Sequence, residues 1–218
     1  LSIAFHKPEK AEQAYRDSVA TAEQLTIDFP SILHHHGALL QSQRGLVELL
    51  VRNGESDEAA RIAGEMTPRT IEEYVQRAEL FAQQHEFDKA LADCERALRL
   101  FDEEPDSTPE PGLLYQAALL SLVGDDSARY RELSRRLLDT FKDSENPLEV
   151  RFAAWTCALA PDAIDDYTPA LTLARRALEL TPENNPIGVG VLQLRAGQYA
   201  DALANLAEAE SKGVSRAY

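Results

Sequence analysis

The segment Thr70 to Leu100, TIEEYVQRAELFAQQHEFDKALADCERALRL, decides the fold. Tyr74, Ala78 and Phe81 recur at i, i+4 and i+7, which places them on one face of a helix. A short polar break follows at 83–86. Phe87, Ala90, Leu91, Cys94, Ala97 and Leu98 then line one face of a second helix. Ala78, Ala90 and Ala97 are small and fall where paired helices come closest, so a larger side chain would hold the helices apart. The segment reads as a helix–turn–helix hairpin.

The same grammar extends outward. Near the C-terminus Gly190 takes the small position of a first helix, Ala196-Gly197-Gln198-Tyr199 makes the turn, and Ala202, Leu203, Leu206 and Ala209 supply the second helix. Before it, Ala158 belongs to a first helix, and Tyr167, Ala170, Leu171, Ala174, Ala177 and Leu178 mark its partner. Pro182 is placed to stop that partner. The turn between the two, Ala160-Pro161-Asp162, is looser. Two units are more degenerate. In one, Gln43, Leu46, Val47 and Leu50 precede an Asn53-Gly54 turn, and Ala59, Ala60 and Ala63 follow it. In the other, Leu113, Ala117 and Leu120 precede Gly124-Asp125-Asp126, and Tyr130, Leu133 and Leu137 follow. There Arg129 stands where alanine is expected. Ala11, Ala14, Tyr15 and Ser18 resemble a second helix without its first. The segments 103–111 and 142–147 are polar and broken by proline, which predicts exposed loops, and 211–218 is expected to fray. The whole chain, 1–218, is therefore expected to be one helical-repeat domain, all-α, of about five helix pairs plus an N-terminal half unit. Because it opens on Leu1, it is expected to be part of a longer protein.

Composition agrees. Of 218 residues, 44% are hydrophobic but only 7% aromatic, so the core is mostly Ala and Leu, both strong helix formers. The formal net charge of −15 disfavours nucleic acid and anionic membrane surfaces, since both need a basic footprint. No segment approaches the ~20 apolar residues of a membrane span. Cys94 and Cys157 fall in apolar-periodic stretches and read as buried thiols, which makes a reducing, cytoplasmic setting the expectation.

The repeat pattern resembles the tetratricopeptide repeat family over nearly the whole chain, most specifically in Tyr74 to Leu98 and Gly190 to Ala209. The resemblance implies a right-handed superhelix that holds a protein or peptide. A narrower likeness joins AEQAYRDSVATAEQLTIDFP (Ala11 to Pro30), and the stretch from Tyr130 through WTCALAP (Trp155 to Pro161) to Gly197, to the repeats that follow bacterial, planctomycete-type serine/threonine kinase domains. That likeness implies a regulatory or scaffolding arm of a signalling protein. The kinase motifs themselves are missing, and Asp28-Phe29 is followed by Pro30.

No pattern for chemistry stands out. His34-His35-His36 cannot all face one metal on a helix, where ligand pairs need i, i+3 or i, i+4 spacing, so they are expected to be a solvated helix start. His6 and His85 are isolated and are expected at the surface. Glu72-Glu73, Glu103-Glu104 and Asp165-Asp166 are expected in polar helix starts or loops, to cap or to be solvated, since an acidic group at a helix start meets the positive end of the helix dipole. No catalytic residue, metal ligand or cofactor is assigned. The repeat register puts the non-core side chains of the first helices on a partner-binding face: Arg44, Glu48 and Arg52; then Glu72, Gln76, Glu79 and Gln83; then Tyr115, Ser121, Trp155, Thr156 and Arg195. Trp155, the only tryptophan, is either a groove anchor or an inter-repeat packing residue. The acidic set around Tyr74 lacks the Lys, Asn and Arg that carboxylate-clamping members of the family resemble one another in using. The expected partner is a protein or peptide with basic and apolar features. Two alternatives stay open: a site between helices built from scattered carboxylates and histidines, and self-association, as a homodimer, through the helix Ala200 to Ala209.

Overall fold

The computed structural model describes residues 8–104, 107–181 and 186–211. The expectations for His6, Pro182 and 212–218 lie outside these residues. Among the described residues there are eleven α-helices and no strand. The chain divides into two compact units, Leu1–Glu103 and Glu104–Tyr218.

The first unit holds α1 (Pro8–Asp28), α2 (Leu33–Asn53), α3 (Ser56–Glu65), α4 (Ile71–Gln83) and α5 (Phe87–Glu103). Helices α4 and α5 form the expected hairpin. Thr70 caps α4 through a reciprocal box: its hydroxyl accepts from Glu73 N at 3.2 Å, and Glu73 Oε2 accepts from Thr70 N at 3.1 Å. Glu73 thus has the helix-start role its position suggested. Ala78, Ala90, Cys94 and Ala97 are fully buried at the seam. α1 runs antiparallel along α2. Tyr15 lies over Gly45, where a Cβ would stand 2.3 Å from its ring, and the Ser18 and Ser42 hydroxyls meet at 2.8 Å. Ala11 and Ala14 are exposed, contrary to the expected face. Tyr15 and Ser18 of the expected set do meet α2, and Ala22, one turn further along the same face, is the buried contact.

The second unit holds α6 (Pro111–Val123), α7 (Ser127–Phe141), α8 (Pro147–Leu159), α9 (Thr168–Leu180), α10 (Ile187–Arg195) and α11 (Tyr199–Ser211). They pair as α6/α7, α8/α9 and α10/α11, with α8 also packing against α6 and α10. At Gly190 a Cβ would meet Leu206 Cγ at 2.8 Å and the Ala202 carbonyl at 3.4 Å, so glycine lets α10 and α11 close. Leu203, expected in this core, is 71% exposed; Leu206 is half-buried against Gly190, and Ala202 and Ala209 are the buried residues of α11. The loop at 142–147 is mostly exposed as expected, whereas Pro109 in the other loop is buried.

Four turns within pairs share one geometry. Gly54, His85, Asp125 and Gly197 take positive φ, at 83°, 60°, 57° and 74°. The next residue's N–H then closes on a carbonyl five residues back: Glu55 on Leu50, Glu86 on Phe81, Asp126 on Ser121, Gln198 on Gln193, each at 2.9 Å. This closure satisfies carbonyls at the end of each first helix. It also sets the register of the second helix, whose Ala59, Ala90, Tyr130 and Ala202 occupy equivalent positions. The residue at the alanine position of the α6/α7 pair is therefore Tyr130, not Arg129.

Tyr130 is fully buried and reaches α8. Its hydroxyl donates to the Thr156 carbonyl at 2.6 Å and accepts from Ala160 N at 3.1 Å. It ends α8 with a side chain where the other pairs use a backbone closure. The loose turn that follows is held by Tyr167, whose hydroxyl accepts from Ala163 N at 3.2 Å.

Candidate partner-binding surfaces

The first unit brings together α2 and α4, and with them most of the residues assigned there. Arg44 bridges the two helices: Nε donates to Glu48 Oε1 at 2.9 Å and Nη2 to Glu79 Oε2 at 3.3 Å. Arg52 Nε donates to the Glu48 carbonyl at 3.2 Å, while its side chain stays largely in solvent. Gln76 donates to Glu72 at 3.0 Å, and Gln83 is exposed at the end of α4. Arg44 is thus drawn to carboxylates of its own face, while the end of Arg52 stands in solvent 3.8 Å from Glu48. Exposed pairs of this kind contribute only about 0–1 kcal/mol each, and a partner's cation can replace them.

A buried ion pair escaped the sequence reading. Arg77 makes two bonds to Asp93, Nε to Oδ2 and Nη2 to Oδ1, both 2.7 Å, and a third to the Met66 carbonyl. Its guanidinium lies 5.9 Å from the Tyr74 ring and 5.6 Å from that of Phe81. Asp93 is only 4% exposed. The pair ties α4 to α5 and to the segment after α3. The histidines differ from expectation too. His34 is exposed and His35 packs edge-on to Phe29, but His36 is 4% exposed, with Nε2 3.8 Å from Glu73 Oε2. The start of α2 lies against α4, so one of three successive ring directions must point inward. His85 is at the surface as expected.

The second unit carries a cavity of about 390 Å³ between α8, α9 and α10. Its floor is Ala154, Ala174, Ala177, Val189 and Leu192, all buried. Trp155 is half-buried at its wall. A Cβ on Gly188 would stand 3.4 Å from the indole Cε3, so the ring lies against the backbone of α10. Trp155 therefore both packs between helix pairs and lines the cavity. Tyr115 from α6 stands at the rim, its ring 5.1 Å from that of Phe152. Arg151 completes the rim, 5.9 Å over the Phe152 ring. Phe152 and Arg151 were not assigned from the sequence, although their spacing to Trp155, i+3 and i+4, marks one helical face.

Arg195 does not join Trp155. Its Nε donates to the Ala158 carbonyl at 3.4 Å, and it lines a separate polar depression of about 520 Å³ beside Asp162, Asp165, Asp166 and Arg131. Those carboxylates serve the fold. Asp165 pairs with Arg135 at 2.9 Å, and Asp166 accepts from Thr168 N, a bond that holds its carboxyl below the usual range. Ser121 and Thr156 are buried and bond back to Ala117 O and Phe152 O, so neither belongs to a binding face. Among the described residues no group of three His, Cys, Asp or Glu stands close enough to hold a metal. Burial pushes the thiols of Cys94 and Cys157 up to about 12, which keeps them protonated and unreactive. No described helix is long and apolar enough to cross a membrane.

These helix pairs, with small residues at their seams and one recurring turn, define a tetratricopeptide-like helical repeat fold. No protein-family model and no curated protein matches the chain. Solved structures do. It is similar to BtubC from P. vanneervenii, with TM-score 0.63, 20% identity, and 97% of this chain and 93% of that one covered. A tetratricopeptide repeat protein from Parabacteroides merdae matches with TM-score 0.55 and 16% identity over 91% and 80% of the two chains. MamA from Desulfovibrio magneticus matches with TM-score 0.55 and 16% identity over 82% and 97%.

Proposed function

We propose that the chain is a protein-interaction module that holds a partner protein or peptide and performs no chemistry of its own. The observation that carries this reading is the unit 2 cavity, where an apolar floor is ringed by Tyr115, Phe152, Trp155 and Arg151. Aromatic residues and arginine around a desolvated pocket are the usual anchors of interfaces. The volume fits side chains of a partner. The α2/α4 face, with Glu48, Glu72 and Glu79, suits basic residues elsewhere in the partner. The likeness of 11–30 and 130–197 to kinase-linked repeats supports a role as an arm of a larger signalling protein, and the buried free thiols suit a reducing, cytoplasmic setting.

The test is affinity capture with the full-length protein and its Trp155→Ala variant. A partner recovered by the first and lost by the second is expected; the same recovery by both would count against the cavity. A second reading, self-association, is favoured by α11, where Tyr199 and Leu203 are 69% and 71% exposed. Its test is solution mass: a dimer that Leu203→Glu dissolves supports it, and a monomer at every concentration removes it.

A further inference from the structure

We infer that the unit 2 cavity selects a short peptide segment in which a bulky apolar side chain stands beside a carboxylate, and that Arg151 takes the carboxylate. This rests on the reading of the cavity as the partner site.

The anchor is apolar because the floor offers nothing else. Ala154, Val189 and Leu192 are buried there, and a polar group placed among them would lose its water without gaining a partner. At about 390 Å³ the space is at the small end of ligand pockets, roughly 300–1,000 Å³, which suits one or two side chains. Trp155, held against α10 at Gly188, supplies a rigid wall with little ordering cost on binding.

The flanking charge follows from Arg151. Among the described residues it is the only charged side chain lining the cavity, and it makes no ion pair there. The nearest acidic residue of α8, Glu149, is engaged with Ser144 and Asn146 before the helix and does not neutralise it. A guanidinium held near an aromatic ring keeps its N–H fork for a planar, bidentate acceptor, which is what a carboxylate is. A lysine or arginine beside the anchor would meet like charge instead, so the site also selects against that sequence. The acidic chain as a whole attracts basic peptides, and this local cation is the feature that sets the cavity apart.

Selection from a display library of random peptides on the full chain tests this, with Arg151→Glu and Trp155→Ala in parallel. Arg151 is exposed, and unchanged circular dichroism of its variant confirms folding. Wild type is expected to enrich a Leu, Ile, Phe or Trp next to Asp or Glu. Arg151→Glu is expected to exchange the acidic neighbour for Lys or Arg and to weaken the wild-type peptides at least about ten-fold. Trp155→Ala is expected to abolish both. Peptides that need Trp155 but carry basic or indifferent neighbours would overturn the inference and leave the partner site standing. Selection with no dependence on Trp155, or occupancy only by small apolar molecules that peptides fail to displace, would overturn both.

Discussion

Replacing Asp93 with alanine isolates the buried pair that ties α4 to α5. In the native unit the Asp93 carboxylate accepts two bonds of 2.7 Å from Arg77, and both side chains lie mostly out of solvent. Unit charges about 4 Å apart at an effective dielectric of about 20 attract by roughly 4 kcal/mol. Removing one member leaves the other buried and uncompensated, a loss of about 3–5 kcal/mol. Asp93→Ala should therefore remove most of the stability of the α4/α5 hairpin. Arg77→Met with Asp93→Leu removes both charges, and should recover all but about 1 kcal/mol, the worth of the bond to the Met66 carbonyl. The assay is hydrogen exchange of peptides from 71–103 across a urea series. Tryptophan fluorescence will not serve, because Trp155 lies in the other unit. A cost below about 1 kcal/mol for Asp93→Ala, or a double variant no better than the single, would show that the pair does not hold the hairpin together.

Other expectations follow from the seams, the turns and the thiols. Gly190→Val pushes a branched side chain into Leu206 and the Ala202 carbonyl, and should cost about 1–3 kcal/mol in urea unfolding of α10/α11. Tyr130→Phe leaves the Thr156 carbonyl and Ala160 N without their partner, and should cost about 1–3 kcal/mol and speed exchange at the end of α8. Cys94 and Cys157 have folded values raised to about 12, so the folded state holds their protons longer than the unfolded chain does. Their contribution is full below the ordinary thiol value, about 9, and is lost as the pH climbs from there to about 12. Native protein should resist a thiol reagent at neutral pH, and denaturant should expose both groups.

The helices and their pairing were legible in the sequence because small residues mark each seam and because 3.6-residue periodicity survives even in the weak units. The register of α7 was not. The positive-φ residue there is Asp125, one place after Gly124, so the alignment on glycine put Arg129 in the position that Tyr130 fills. A tyrosine at that position looks wrong until α8 is in place to receive its hydroxyl. The Arg77–Asp93 pair joins residues on different helices and leaves no local pattern. The histidine run misled for a related reason: helix periodicity gives three directions, and only the neighbouring α4 shows which one is inward. At the candidate site, Tyr115 and Trp155 were found by register, whereas Arg195 sits at the far end of its helix and faces a different depression. The indole of Trp155 lies beside α10 at Gly188, a contact that no sequence spacing records.

Site-resolved crosslinking tests whether the cavity of the second unit holds the partner. A photoreactive benzoylphenylalanine replaces Tyr115 at the cavity rim in the full-length protein, and Thr172 on the exposed side of α9 in a control. A discrete partner adduct is expected from position 115, suppressed by Trp155→Ala and missing from position 172. Equal adducts from both positions, or an adduct at 115 indifferent to Trp155, would contradict that placement of the partner.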